Sequence, residues 1–336
     1  MTPSDGLALA TRGLRKSYGS RLALDGLDLS VPTGVVYGFL GPNGAGKTTT
    51  MRLLTGLLHP DSGTIELLGR PFSRGDRKRL FSVGALVESP SFYPYLSGRR
   101  NLHALAAAGA PVPKGRIEEL LELVGLRDRA RDKVAGYSLG MKQRLGIAGA
   151  LLSDPELLLL DEPANGLDPA GIVAMRETLR RLAAEGKTVF VSSHLLGEVQ
   201  VLADVVGIIA AGRLVREGTL DSMLRDQGVV RVRVPAAQLA QARAALEQLA
   251  KVEAHGTTEG DPWLAVHLEP DRAAEVNRRL AEAGIFGSGL ESGTDLELLF
   301  LELTGGAGTT SSEGTFSAIR SAGREPVDPG DPGANA

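Results

Sequence analysis

The residues best suited to chemistry lie in a glycine-rich segment from Gly41 to Thr49, which reads GPNGAGKTT. This segment matches the pattern G-x-x-x-x-G-K-[ST], whose glycines leave backbone N–H groups free to converge on phosphate oxygens. The ammonium group of Lys47 can reach the β- and γ-phosphates of a nucleotide, and the hydroxyl of Thr48 can bind Mg²⁺. Several classes of nucleotide-binding protein share this pattern, so the segment alone does not choose among them.

A second candidate phosphate site lies further along the chain, in YSLGMKQR from Tyr137 to Arg144. Ser138 and Gly140 stand where a helix is predicted to begin, and backbone N–H groups at the start of a helix form an anion site. Two anion sites for one nucleotide suggest that the nucleotide is clamped between two copies of the chain.

Two carboxylates follow an apolar strand that is predicted from the run of leucines at 157–160. Asp161 ends this strand, at the edge where a carboxylate can lie beside Mg²⁺. Glu162 follows directly, and a carboxylate one residue beyond the metal ligand can polarise the attacking water as a general base. The alternative is a solvated strand end, and the glycine loop earlier in the chain argues against it.

With these segments in this order, the chain resembles the ATP-binding subunit of an ABC transporter from about Leu7 to Gly218. The segments YSLGMKQR and VESPSFYP most resemble the bacitracin-, lantibiotic- and daunorubicin-type exporters. The resemblance implies a P-loop NTPase fold, ATP and Mg²⁺ as ligands, and ATP hydrolysis that drives efflux of an antibiotic, peptide or lipid-like compound. It also implies a homodimer of ATPase subunits, bound to a separate integral-membrane permease at the cytoplasmic face of the cell membrane.

The same resemblance assigns roles to further residues. The family uses an aromatic residue such as Tyr18 to stack on adenine, a histidine such as His194 to contact the γ-phosphate, and an aspartate such as Asp168 to cross the dimer interface. The nucleotide-binding set is Tyr18, Gly41, Pro42, Asn43, Gly44, Ala45, Gly46, Lys47, Thr48, Thr49, Ser138, Gly140 and Asp168. The catalytic set is Glu162, His194 and Lys47, and the metal-binding set is Thr48, Glu88 and Asp161.

Two features depart from the family's usual pattern. Glu88 stands where glutamine is usual, and a carboxylate can bind Mg²⁺ but cannot donate a hydrogen bond as an amide does. Leu139 and Met141 interrupt the commoner signature Leu-Ser-Gly-Gly-Gln, whereas Ser138 and Gly140 are retained. We therefore expect the phosphate contact to survive and the packing of this loop to differ.

An aromatic loop, SPSFYPYLSGR from Ser89 to Arg99, stands out on a chain with only 4% aromatic residues. A hydrophobic loop stiffened by proline suits a docking surface. In the family this zone receives a helix of the membrane subunit. Ordinary loop packing is the alternative interpretation.

Other functions fit parts of the sequence. ABC proteins of translation carry two cassettes, whereas this chain has one P-loop pattern. ABC proteins of DNA maintenance insert a long coiled coil before the signature, and residues 58–134 have no sustained heptads. An importer ATPase with a regulatory C-terminal module stays open as an alternative. A module that holds ATP without turnover is disfavoured by Glu162.

Composition argues against nucleic acid as a partner and against sites that need cysteine. The 336 residues have a formal net charge of −3, which does not favour nucleic acid as a partner, and they include no cysteine for disulfides or thiolate metal sites. No secretory signal is recognised in MTPSDGLALATRG, and no apolar stretch approaches the length of a membrane-spanning helix. If the chain powers transport, we expect the pore to be another polypeptide.

Patterning along the chain predicts three regions. Residues 1–227 alternate apolar strands with helices, which predicts an α/β fold with a parallel core, and the resemblance implies that they form the ABC ATP-binding domain. Residues 228–304 are predicted to be a small α+β accessory domain. Residues 305–336 are rich in Gly, Ser, Thr, Pro and Asp and are predicted to be disordered, since they cannot bury enough apolar surface.

Within the accessory domain the elements are consistent with the order β-α-β-β-α-β, although the strand at Val252–His255 is weakly patterned. A strand is predicted at Ile285–Gly289 and a final helix at Leu296–Leu303. This helix is too apolar to be free and needs a partner surface. The accessory domain, the ATP-binding domain and a second copy are all open as that surface.

Overall fold

The chain opens with two long antiparallel strands and continues with alternating strands and helices. The computed structural model describes residues 6–73, 76–109, 111–225, 228–255, 261–294 and residue 300. The strands of its N-terminal part, residues 6–225, are β1 Leu7–Tyr18, β2 Arg21–Pro32, β3 Val36–Leu40, β4 Ser62–Leu67, β5 Arg70–Pro71, β6 Val83–Leu86, β7 Leu157–Asp161, β8 Thr188–Ser193, β9 Val205–Ala210 and β10 Arg213–Thr219. The helices of this part are α1 Lys47–Leu54, α2 Gly98–Ala108, α3 Arg116–Leu123, α4 Leu139–Ala150, α5 Pro169–Ala184, α6 Leu196–Leu202 and α7 Leu220–Arg225. None of the helices described is both long enough and apolar enough to cross a membrane.

A central sheet runs in the order β10-β9-β3-β8-β7-β6, and its strands are parallel except for β10. Strands β3, β7 and β8 are buried along their whole length, as expected for strands covered on both faces. The predicted parallel core is confirmed. Because the carboxyl ends of parallel strands meet at one edge of the sheet, the segments that follow β3, β7 and β8 are brought together there.

A smaller antiparallel sheet, β2-β1-β4-β5, packs beside the central sheet. One core cluster joins the two sheets: it contains Leu9 and Leu27 from the small sheet, Phe39 and Phe190 from the central sheet, and Met51 from α1. Helix α1, which begins directly after the glycine loop, is therefore fixed between both sheets.

A second core cluster lies under the helices α2 to α5. It contains Leu120 of α3 and Leu145 of α4, which pack with Leu158 and Leu160 of β7. The start of α4 and the end of β7 are thus held by one apolar core. This core joins the two segments that carry Ser138 and Asp161.

The C-terminal module, residues 228–294, forms a separate antiparallel sheet with two helices. Its elements are β11 Gly228–Arg233, α8 Leu239–Leu246, β12 Val252–His255, β13 Trp263–Val266, α9 Ala273–Glu282 and β14 Gly289–Thr294. The strands lie in the order β12-β13-β11-β14. The predicted β-α-β-β-α-β order is confirmed, including the weakly patterned strand. The division of the chain at 227/228 and 304/305 stays a prediction.

The predicted strand at Ile285–Gly289 is wrong, because the last strand begins at Gly289. Ile285 instead turns into the module's core after α9, and its N–H donates to the carbonyl of Leu280 at 2.8 Å. Pairing with β11 starts where Gly289 faces Arg233. Ile285 is apolar because it packs in the core after the end of α9, and it is not a strand residue. The predicted helix at 296–303, apart from residue 300, and the predicted disordered tail lie outside the described residues.

Phe300 is buried in the N-terminal part of the molecule, at 8% exposure. It belongs to a cluster with Val199 of α6, Ile208 of β9, and Leu220 and Met223 of α7. Of the three partner surfaces left open by the sequence, Phe300 therefore uses the ATP-binding part of its own chain.

We predict that Phe300→Ala lowers the free energy of unfolding by about 3–5 kcal/mol, the usual cost of deleting a buried phenylalanine side chain. Phe286→Ala is the matched control, because Phe286 is 77% exposed and its loss should cost less than about 0.5 kcal/mol. Denaturant unfolding of the full chain, followed by circular dichroism, measures both. Equal, small changes for the two variants would contradict the docking of Phe300.

Candidate functional site

The glycine loop links β3 to α1 with a backbone that only glycine allows at its last position. Gly46 has φ +113°, and a Cβ atom there would lie 2.8 Å from the carbonyl oxygen of Ala23. The loop therefore turns tightly against β2, and α1 begins at Lys47. The first N–H groups of a helix have no partner within the helix, so they are available to a bound anion.

An open cleft with a volume of ≈ 480 Å³ lies over this loop. It brings together most of the predicted site: Tyr18, Asn43, Gly44, Gly46, Lys47, Thr48, Thr49, Glu162 and His194 line it. Gly41 and Pro42 support the loop from behind, since their carbonyl oxygens accept hydrogen bonds from Lys47 Nζ at 2.7 and 3.4 Å. Ala45 is buried in the core shared by the two sheets.

Glu162 lies between the two other predicted catalytic residues. Its Oε1 is 3.3 Å from Lys47 Nζ, and its Oε2 is 2.7 Å from Nδ1 of His194. The backbone of Glu162 is left-handed, with φ +48°, and its N–H is held by the carbonyl and hydroxyl oxygens of Ser192 at 3.2 and 3.1 Å. Such a conformation persists in a non-glycine residue only where its surroundings impose it, and it is concentrated at functional sites.

Asp161 ends β7 as a buried carboxylate, with 4% exposure. Its Oδ1 accepts a hydrogen bond from the hydroxyl of Ser192 at 2.5 Å. Among the residues that the structure describes, no group of three or more His, Cys, Asp or Glu side chains could hold a metal ion. Thr48 and Asp161 supply hard oxygen donors that fit Mg²⁺, a cation that usually takes one or two protein oxygens and completes its shell with water and phosphate.

The second predicted phosphate site lies outside the cleft. Ser138 caps the start of α4, where its hydroxyl accepts from the N–H of Met141 at 3.2 Å. Asp168 caps α5 in the same way by accepting from the N–H of Gly171 at 3.0 Å, with Pro169 as the first helical residue. One copy of the chain therefore presents the glycine loop in one place, and Ser138 and Asp168 in another.

Comparison with known proteins identifies the family. The family model described as ABC transporter matches residues 24–165. The bacitracin transport ATP-binding protein BcrA of Bacillus licheniformis is 49% identical over 216 residues, which cover 64% of this chain and 71% of that protein. BcrA of Enterococcus faecalis is 38% identical over 305 residues, which cover 89% of this chain and 97% of that protein. The chain belongs to the ABC transporter ATP-binding proteins.

Further similarities agree with this assignment. The daunorubicin resistance ATP-binding protein DrrA3 of Streptomyces coeruleorubidus is 38% identical over 315 residues, which cover 89% of this chain and 96% of that protein. A solved structure of the ATP-binding subunit of an ABC transporter aligns with a TM-score of 0.59 and 30% identity, and covers 65% of this chain. This ABC ATPase therefore has the P-loop NTPase fold, binds nucleotide and hydrolyses ATP as a subunit of a transporter.

The glutamate that replaces the usual glutamine does not line the cleft of this ABC ATPase. Glu88, which has φ +64°, forms an ion pair with Arg52 on α1. The hydrogen bond with Glu88 raises the pKa of Arg52, and the hydroxyl of Tyr18 contributes a smaller increase. Glu88 is thus tied to the helix that follows the glycine loop, and its predicted role as a metal ligand stays a prediction.

Two further polar residues of the ABC ATPase, Arg21 and Asn165, line the cleft although neither is among the predicted site residues. Arg21 begins β2, and its Nη2 lies 3.2 Å from the point that a Cβ atom on Gly44 would occupy. The N–H of Asn165 donates to the carbonyl oxygen of Glu162 at 3.1 Å. Arg21 follows Tyr18 by three positions, and Asn165 is the first residue of the segment NGLDP. Their closeness in sequence to predicted site residues is the signal that could have placed them at the cleft.

Proposed function

We propose that this ABC ATPase works as a homodimer in which each ATP binds between two copies. The glycine loop of one copy would hold the phosphates, and Ser138 and Gly140 of the other copy would cover the γ-phosphate. The observation that supports this is the separation of the two phosphate sites within one chain, because only residues of the first site line the cleft. ABC ATPase subunits as a family dimerise and act with membrane permeases.

The proposed binding roles follow from position and chemistry, and all but those of Asp161 and Glu88 belong to residues that line the cleft. Lys47 binds the β- and γ-phosphates, Tyr18 stacks on adenine, and Thr48 and Asp161 hold Mg²⁺. Magnesium, when bound, neutralises charge on the phosphate oxygens. Glu88 becomes a further ligand only when its carboxylate leaves Arg52. The backbone N–H groups at Gly44 and Gly46 add neutral donors to the same oxygens.

The hydrolytic step needs a base, and Glu162 is the proposed one. Its carboxylate takes a proton from water, the water oxygen bonds to the γ-phosphorus, and the bond to the β–γ bridging oxygen breaks to release ADP. His194, whose Nδ1 lies 2.7 Å from Oε2 of Glu162, orients the carboxylate and the water. Lys47 stabilises the charge that spreads over the transferred phosphoryl group.

We further propose that the subunit powers export of an antibiotic, peptide or lipid-like compound, at the cytoplasmic face of the cell membrane. The supporting observation is the extent of similarity to proteins named for bacitracin transport and daunorubicin resistance. Those similarities span 89% of this chain, well beyond residues 24–165. They extend therefore past the ATP-binding part that all ABC ATPases share.

The aromatic loop at 89–99 is the proposed contact with the permease. Tyr93 and Tyr95 are exposed, with ring centroids 5.9 Å apart. Asn101, only 2% exposed, fixes the loop from below, because its Oδ1 accepts from the N–H of Tyr93 at 2.8 Å and its Nδ2 donates to the carbonyl of Tyr93 at 3.1 Å. A rigid loop that presents two aromatic rings has the character of an interface anchor.

Expression with the permease of the neighbouring reading frame in a sensitive host tests export. We predict that the wild-type pair raises the inhibitory concentration of bacitracin, a lantibiotic or daunorubicin, and that Lys47→Ala abolishes the protection because hydrolysis is lost. Expression of the ATPase without the permease is the control and should not protect. No protection by the complete pair, together with a secreted binding protein encoded beside it, would favour import instead.

A further inference from the structure

Leu139 is the first residue of α4 and stands where the family's commoner signature has glycine. At 55% exposure it is a large apolar side chain at the surface. We use "signature loop" for residues 137–141 and "NGLD loop" for residues 165–168, which precede α5. Within one copy, the side chain of Leu139 lies against Gly166 of the NGLD loop.

A side chain at position 166 would require the side chain of Leu139 to move. A Cβ atom on Gly166 would lie 2.7 Å from Cγ of Leu139 and closer still to Cδ2, whereas real Cβ contacts essentially never fall under 3.0 Å. The fit is reciprocal, because a Cβ atom on Gly140 would lie 3.1 Å from Cδ2 of Leu167. Each loop thus presents a leucine to a glycine of the other.

The backbone imposes a second, separate demand for glycine at 166. Gly166 has φ +74°, a conformation that costs energy for any residue with a Cβ atom. If Leu139 made no contact with Gly166, the positive φ would be the only reason for glycine at this position. The close approach of Leu139 adds a steric demand that depends on which side chain occupies position 139. The two demands can therefore be separated by changing position 139.

We propose that Leu139 and Gly166 form a matched pair that couples the signature loop to the NGLD loop. The proposal rests on the proposed dimer, in which Ser138, Gly140 and Asp168 of one copy all act on the nucleotide of the other. Leu139 is a positioning residue there: its packing makes the two loops move as one body. The contacts that they make with the opposite nucleotide then form together.

A double-mutant cycle in the full-length chain tests the pair, with Leu139→Ala, Gly166→Ala and the double variant. We expect each single change to lower kcat about tenfold, a loss within the range of interaction energies found for contacting side chains, and to leave the KM for ATP within about twofold. Neither position 139 nor position 166 lines the cleft of the same copy, so binding there is expected to be retained. In the double variant the methyl groups meet, because Cβ of Leu139 lies 3.5 Å from the Cβ position at 166, an ordinary contact.

The double variant is therefore expected to hydrolyse ATP faster than either single variant. A loss equal to the product of the two single losses would overturn the proposal. Leu139→Met, which keeps the reach of the side chain, is expected to retain the wild-type rate. If Gly166→Ala fails to fold, the comparison at position 139 decides: Leu139→Ala with a wild-type kcat would overturn the pairing.

Gly186→Ala is the control for the backbone demand. Gly186 has φ +90° and no heavy atom within 4 Å of its Cβ position. This variant is expected to lower the Tm as Gly166→Ala does and to leave kcat unchanged. An equal fall in kcat for Gly186→Ala would show that backbone strain alone explains the effect, and would also overturn the proposal.

Formation of the dimer must be measured in parallel, so that failure of the Leu139–Gly166 pair can be distinguished from failure of the proposed composite site. If ATP assembles the Glu162→Gln protein into a dimer and the cycle is multiplicative, the Leu139–Gly166 pair is wrong and the proposed function stands. If no ATP-bound dimer forms, the proposed composite site is wrong, and the pair loses its role with it.

Discussion

Glu162→Gln should bind ATP with near wild-type affinity and hydrolyse it about 10²–10⁴-fold more slowly, the usual contribution of a general base. The amide keeps the shape of the carboxylate beside Lys47 and His194, which lie 3.3 and 2.7 Å away. It cannot take up a proton from water, so the chemical step is lost while the phosphate contacts remain. Single-turnover hydrolysis and equilibrium ATP binding measure the two effects separately.

The control for this substitution is another glutamate that becomes glutamine away from the cleft. Glu122 is exposed at the end of α3, where it pairs with Arg127 at 3.0 Å. Exposed ion pairs contribute about 0–1 kcal/mol, so Glu122→Gln should keep both stability and turnover. A Glu162→Gln protein that hydrolyses ATP at the rate of this control would contradict the assignment of the base.

Mixing two inactive variants, Lys47→Ala and Ser138→Arg, should restore activity. Lys47→Ala removes the charge that binds the phosphates, and Ser138→Arg places a bulky cation where the opposite γ-phosphate is proposed to lie. A mixed dimer has one site with both defects and one site with neither. At equal amounts we expect about a quarter of the wild-type activity, if copies pair at random and each intact site works independently.

A chain that carries both substitutions is the matched control for the mixing experiment. Mixed with Lys47→Ala, it cannot form an intact site and should restore nothing. Mass measurement of tagged copies must show that mixed dimers form. Mixed dimers without activity would contradict the shared site, because each would contain one complete set of residues.

The grouping of candidate site residues in one cleft could be predicted from the sequence because they follow short local rules. Two local patterns indicate these residues: a glycine loop between a strand and a helix, and carboxylates at the end of an apolar strand. Both patterns also place the residues at the carboxyl edge of the sheet. The structure brings Lys47, Thr48, Glu162 and His194 together in one cleft as expected. Each of these residues directly follows a strand or lies in the first turn of a helix, so its position depends little on distant packing.

The contacts that could not be predicted join segments far apart in the chain. Arg52 pairs with Glu88, Leu139 packs on Gly166, and Phe300 enters a cluster of the N-terminal part. No local pattern in the sequence specifies such partners, because they arise from how whole elements are packed. The strand predicted at Ile285–Gly289 is wrong for the same reason: Ile285 is apolar because it packs in the core of the C-terminal module, a contact that no local pattern specifies.

The native mass of the Glu162→Gln protein, with and without ATP, tests the composite site most directly. With turnover blocked, ATP should hold two copies together, and the predicted species is a dimer that contains two ATP molecules. Removal of ATP, or the added substitution Ser138→Arg, should return it to the monomer. A Glu162→Gln protein that stays monomeric while saturated with ATP would contradict the proposal that each nucleotide binds between two copies.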